Sequence, residues 1–185
     1  RGGTPQYTAS GVVELEQVAE KKIFFNVFPT LKVEEDIQIL FADVEVQKIT
    51  TNSSRDFLHV HIMSRHLIQK KQIRMMERRI EEQLFSGTHI NVEIIEKYAL
   101  SGQYTPAALL HEYRDSMVEE LKETSVLASS MFSHARIHCG DDGIICVELL
   151  DTIVSEGRRE EILHYMEQIF HQRFQMDVSF HISYR

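Results

Sequence analysis

The stretch FLHVHIMSRHLIQKKQIRMMERRIEEQLFSGTHINVEIIEKY, residues 57–98, changes its hydrophobic period twice. Over its first eight residues Leu58, Val60 and Ile62 alternate with Phe57, His59 and His61, the period of a half-buried strand. Apolar residues then fall at Ile73, Met76, Ile80 and Leu84, spaced by 3, 4 and 4, which makes the single stripe of an amphipathic helix. The turn-forming Ser86, Gly87 and Thr88 end that helix. Ile90, Val92 and Ile94 restore the alternation and predict a second strand. Strand, long helix, strand is a unit that buries the helix stripe on one face of a sheet.

Working outward, DVEVQKIT (43–50) and the turn-prone TNSSRD precede this unit and predict a hairpin with the strand at 57–64. The second half repeats the order at an offset of about 87 residues, as a match of pattern rather than of identity. HARIHC, the turn GDDG and IICVELL read as a hairpin. A helix over roughly 156–173 carries Ile162, Met166, Ile169 and Phe170 on one side, and QMDVSFHISYR alternates as a last strand. Each hairpin follows a helical stretch, the short KVEEDIQILFA and the long TPAALLHEYRDSMVEELKET. In the long one Thr105 suits the N-cap and Pro106 the first helical position, and Leu110, Tyr113, Met117 and Leu121 form the stripe. The fold class expected is α+β: two αββαβ, KH-like modules in tandem at 23–98 and 99–185, each a three-stranded sheet with helices on one face. Residues 1–22 are turn-rich and polar, and are expected to have no fixed structure.

Bulk properties suit this plan. The chain has 185 residues, 43% hydrophobic and 26% charged, enough for two small domains. No apolar run approaches the ~18 residues a membrane span needs, and no signal peptide opens the chain. The first residue is Arg, so the sequence reads as a piece of something longer. Cys139 and Cys146 are the only cysteines, which points to a reducing, cytoplasmic compartment. Residues 1–100 are nearly balanced, with 13 Lys/Arg against 14 Asp/Glu, whereas residues 101–185 carry 7 against 14. The acidic second half is a poor match for phosphates.

Few residues stand out as chemistry. His59 and His61 share a strand face, and His66 or His89 would add a metal ligand, but alternation alone accounts for the pair. If GDDG is a four-residue turn, Cys139 faces Ile144 and Cys146 faces Ile137. The thiols are then diagonal and about 7 Å apart, too far for an easy disulfide. With His138 they lack a fourth zinc ligand. Asp141 and Asp142 are what a tight turn demands, so with Glu148 they need no cation. Ser129 and Ser130 have no His-Asp arrangement beside them. Arg65, Lys70, Lys71, Arg74, Arg78 and Arg79 form a dense basic cluster, with Lys70, Lys71, Arg74 and Arg78 on a broad flank opposite the apolar stripe. That flank reads as a solvated helix face, as a dock for an acidic partner, or as a phosphate contact. Gly-x-x-Gly, the nucleic-acid clamp of KH modules, occurs only in the hairpin turn.

FFNVFPTL (24–31), SGQYTPAALLHEYRDSMVEELK (101–122) and LLDTIVSEGRREEIL (149–163) resemble the amino-terminal region of PolC-type DNA polymerase III alpha subunits. The resemblance covers about residues 23–185. It implies a large bacterial replicative polymerase, with nucleic-acid-binding, PHP, proofreading and polymerase modules further along the chain. The first module also resembles the polymerase-binding domain of the clamp-loader tau subunit, which implies protein–protein contact. No catalytic residue of the family carries over, because its centres need carboxylates converging on two Mg²⁺ ions. The reading is a non-catalytic, cofactor-free region that docks other replisome proteins. The alternative is a weak, sequence-independent contact with DNA.

Overall fold

The computed structural model describes residues 22–153 and 155–185, so of the opening segment 1–22 only Lys22 is described. The chain divides into two compact units between Tyr98 and Ala99. Both are α+β.

The first unit runs β1 (Lys22–Ile23), α1 (Phe24–Val27), α2 (Glu35–Phe41), β2 (Glu45–Thr51), β3 (Phe57–Ser64), α3 (Lys70–Leu84) and β4 (Asn91–Tyr98). Its sheet has the order β1-β2-β3-β4. β1 and β2 pair antiparallel, β2 and β3 antiparallel, β3 and β4 parallel. The sheet is four-stranded rather than the three-stranded one expected, because Lys22 and Ile23 pair with Val46 and Glu45. A two-residue strand carries no periodic signal, so nothing in the sequence announces it. Alternation on β3 and β4 is as the sequence dictates: Leu58, Val60, Ile62, Val92 and Ile94 are buried against Ile73, Met76 and Ile80 of α3. Phe24, Phe28 and Phe41 close the core beneath α2, with ring centroids 4.9 and 5.0 Å from that of Phe24.

The second unit runs α4 (Pro106–Thr124), α5 (Val126–Ser133), β5 (Arg136–Cys139), β6 (Ile144–Leu149), α6 (Ser155–Glu167), a π-helical stretch (Gln168–Arg173) and β7 (Ser179–Tyr184). The sheet order is β5-β6-β7, antiparallel then parallel. Thr105 caps α4 by accepting from the Ala108 N–H (3.2 Å), with Pro106 at its first position. Leu110, Tyr113, Met117 and Leu121 are buried. Unexpected from sequence, Ser125 ends α4 and caps α5. Arg114 donates to the Phe132, Ser133 and Ala135 carbonyls at the far end of α5, where a cation also suits the helix dipole.

The β5–β6 register differs from the expected one. Cys139 pairs with Ile145, and His138 pairs with Cys146, so the two thiols lie on opposite faces of the sheet. The turn is the reason. Gly143 donates to the Gly140 carbonyl (3.2 Å) and Gly140 to the Ile144 carbonyl (3.0 Å), which leaves only three residues in the loop. Gly143 takes φ +76°, the left-handed position of a type I turn closed by a G1 bulge. Burial pushes the Cys139 thiol up, and both cysteines are free.

Two glycines should respond oppositely to alanine. Gly143→Ala forces a side chain into the left-handed region and should cost about 1 kcal/mol. Gly157→Ala, inside α6 with open space where its Cβ would stand, should add up to about 1 kcal/mol. Thermal unfolding of the two variants checks this: the midpoints should move in opposite directions.

Candidate functional site

The fold divides the basic cluster into cations that hold the first unit together and cations left at its surface. Lys70 belongs to the first set, against expectation. Its side chain is 4% exposed and its Nζ lies 2.5 Å from Oε1 of Glu96, whose side chain is 1% exposed. Glu96 faces inward because it continues the alternation Val92, Ile94, Glu96, Tyr98 on β4. An acid buried by its strand phase requires a cation, and the first residue of α3 supplies it. The Tyr98 hydroxyl lies 3.1 Å from Glu96 Oε2 and 3.0 Å from the Ile68 carbonyl. The signal was present in the sequence as an acid in phase with Val92 and Ile94.

Arg74 donates from Nη1 to both carboxylate oxygens of Glu77, at 2.8 and 3.0 Å. Glu77 is buried and also accepts the Ile94 N–H of β4 (2.7 Å). Burial pushes its carboxyl up, while Arg74 and the Ile94 N–H oppose the shift. One turn further along α3, Glu81 accepts the Val92 N–H (2.8 Å). Arg79 is paired with Glu34 and with Glu82, and its bond to Glu34 holds that carboxyl below the usual range.

Arg65, Lys71 and Arg78 remain. All three are exposed and have no ion-pair partner among the described residues. Lys71 stands in the first turn of α3, which contains no acidic residue and whose N-cap, Gln69, makes no side-chain cap bond. A cation there opposes the helix dipole, so the fold gains nothing from it.

The other candidates are absorbed by structure. Thr50 Oγ1 lies 3.3 Å from His61 Nε2, and His59 lies 3.4 Å from Glu93. His66 is fixed between the Leu40 carbonyl (2.8 Å) and Asp43 (3.5 Å), and His89 is exposed. Asp43 and Glu45, not among the candidates read from the sequence, do form an Asp-x-Glu, but Glu45 stands opposite Met63 in the sheet while Asp43 lies 3.5 Å from His66. Asp142 accepts the Ile144 N–H inside the turn (3.0 Å), and Glu148 lies between Arg136 and Arg185. Ser129 is buried and donates to the Val118 carbonyl (2.7 Å), and the Ser130 carbonyl accepts at the end of α5. Among the described residues no three His, Cys, Asp or Glu side chains converge on a metal position, and no helix is long and apolar enough to cross a membrane.

A polar cluster in the second unit escaped the sequence reading. Arg173, from the π-helical stretch, donates to both oxygens of Glu120 on α4 (2.8 and 2.9 Å) and to the Tyr113 hydroxyl (2.9 Å). Tyr165 donates to the same carboxylate (2.6 Å), and burial beside Glu120 pushes its phenol far up. Each member donates or accepts within the set, which makes it a clamp between helices and not a reacting pair. Two residues so far apart in sequence give no local signal.

Comparison with known proteins gives one match. Residues 23–94 fit the family described as DNA polymerase III polC-type N-terminus I. No curated protein and no solved structure matches the chain.

The buried pair sets two expectations. Lys70→Met strands the Glu96 carboxylate and should cost about 3–5 kcal/mol, whereas Lys70→Met with Glu96→Leu should recover most of that loss in denaturant unfolding. Glu77 binds its proton more tightly in the folded than in the unfolded state, so its contribution is largest at low pH. That contribution falls as pH rises above the ordinary carboxyl value of 4.5. Glu77→Gln should remove that downward slope when stability is measured from pH 4 to 8.

Proposed function

We infer, from the match of residues 23–94 to the family described as DNA polymerase III polC-type N-terminus I, that this chain is a docking region of a cytoplasmic replicative polymerase. It holds partners by surface charge and performs no chemistry of its own. The rest of the parent polymerase supplies the catalysis, and this region needs no cofactor or metal. Each unit has the hairpin, long helix and parallel last strand of a KH-like plan, and on this reading it would present a helix face to other replisome proteins.

The observation that carries this reading is the set Arg65, Lys71 and Arg78. The fold satisfies Lys70, Arg74 and Arg79 with Glu96, Glu77 and Glu34 but leaves these three in solvent. Lys71 also sits where a helix favours an acid. A local choice that works against stability is most often kept where it serves a contact. Three cations without an aromatic platform beside them favour an acidic protein surface over a nucleic acid.

Lys71→Glu alone should leave the fold intact and raise stability by a few tenths of a kcal/mol, because it removes the conflict with the helix dipole. Reversing Arg65, Lys71 and Arg78 together should slow association with purified replisome proteins by about tenfold at low salt, and less at high salt. A single-stranded oligonucleotide provides the contrast. Tight binding whose log-log salt slope is about −2 to −3 in the parent chain and near zero in the triple variant would favour direct DNA contact instead. Association rates unaffected by the triple reversal would refute docking through this face.

A further inference from the structure

The two sheets end differently on the side of their last strand. In β4 the outward N–H groups of Val92 and Ile94 are taken by Glu81 and Glu77 of α3. In β7 no side chain among the described residues is bonded to the corresponding groups. Arg185 donates to the Leu149 carbonyl and accepts from the Asp151 N–H, so its backbone faces β6. The period of two then turns Ser183 and His181 toward β6, and Phe180, Ile182 and Tyr184 away from it. The N–H and C=O groups of these three have no partner among the described residues, since β7 is the last strand of its sheet. His171 takes the Val178 carbonyl just before β7 (2.6 Å), but the strand itself contains no proline, no lysine, no bulge and no inward charge.

We propose that the free edge of β7 is a binding site for an extended segment of another protein, which adds to the sheet as a fourth strand. Donors and acceptors repeating every second residue along a straight edge complement one ligand geometry, a second extended backbone. Side chains on that strand would continue the inner face beside Phe180 and Tyr184. Tyr184 is still 37% exposed, as is Leu150 (42%) at the same end of the sheet. This favours apolar residues at alternate positions. Charge specifies the flanks. Exposed Asp177 precedes β7, and exposed Asp151, whose backbone N–H donates to the Arg185 carbonyl, stands at its other end, where the Arg185 guanidinium faces Glu148. The surrounding half of the chain carries 7 Lys/Arg against 14 Asp/Glu. A segment with Lys or Arg at both ends meets both acids, whereas a second copy of this unit would bring a like charge against its own.

The test uses the whole chain and synthetic peptides. Lys-Val-Thr-Val-Thr-Val-Lys is the probe, and amide hydrogen exchange is the readout. Without peptide the Phe180, Ile182 and Tyr184 amides should exchange far faster than those of Val92 and Ile94. With saturating peptide they should slow by at least about tenfold, while the protein stays monomeric in sedimentation. Methylating alternate backbone nitrogens on the peptide's pairing edge should abolish the effect without altering the protein. Replacing both lysines by glutamate should weaken binding by about tenfold at low salt. Protection of the three amides in the free monomer would overturn the proposal, as would protection that arises from self-association. So would full binding by the methylated peptide, equal binding by the glutamate peptide, or no protection at about 1 mM probe.

Discussion

An edge strand packed under a helix cannot leave its outward N–H groups both dry and unpaired, and in the first unit α3 supplies the acceptors. Glu81 takes Val92, Glu77 takes Ile94, and Lys70 meets Glu96. The spacing is what makes this workable. Four helical residues advance about 6 Å, and two strand residues advance about 6.7 Å, so acceptors on one helix flank follow donors on one strand edge. The contacts run in opposite directions along the two elements, from 81 to 70 on α3 and from 92 to 96 on β4. A slip of one residue in β4 would present the wrong N–H groups and turn Val92, Ile94 and Tyr98 out of the core. The register of the sheet, the rotation of α3 and therefore the direction in which Lys71 and Arg78 point all depend on this polar seam.

The second unit places its buried charge elsewhere. Glu120 and Arg173 tie α4 to the π-helical stretch, and both tyrosine hydroxyls are drawn into the same set. The π geometry is visible in the Phe174 N–H, which reaches back five residues to the Ile169 carbonyl (2.9 Å). That register brings Arg173 to the Glu120 carboxylate while Ile169, Phe170 and Phe174 stay buried. The helix–helix contact is thus secured, but among the described residues no carboxylate is bonded to the outward N–H groups of β7. The shared order of hairpin, helix and last strand thus has its last edge capped by helix carboxylates in the first unit and, among the described residues, not in the second.

The regular part of the fold was legible in the sequence, since long periodic segments encode their own burial. The stripe Ile73, Met76, Ile80 and the alternation through β3, β4 and β6 needed no information from distant residues. Thr105-Pro106 likewise marked the start of α4 by local chemistry alone. What escaped was decided by geometry across the chain. The hairpin register turned on a three-residue loop closed by Gly143 in the left-handed region, in place of the four-residue turn expected. The basic cluster read as uniform because every member is a cation within fifteen positions, yet Lys70 is distinguished only by an acid 26 residues away. Counting charges along one helix cannot reveal which of them a neighbouring strand has already claimed.

That division also limits what the surface can do. A cation held by a buried carboxylate is unavailable to a partner, because releasing it would leave the acid uncompensated at a cost of several kcal/mol. Lys70 and Arg74 would therefore add little to any such recognition, however dense the cluster looks in sequence. Arg65, Lys71 and Arg78 lose only solvent when something binds. Three charges alone would hold nucleic acid only weakly at physiological salt, where each neutralised phosphate contributes about one unit of salt dependence. On the proposed reading they would accelerate the approach of an acidic protein, whose final affinity would have to come from contacts other than charge.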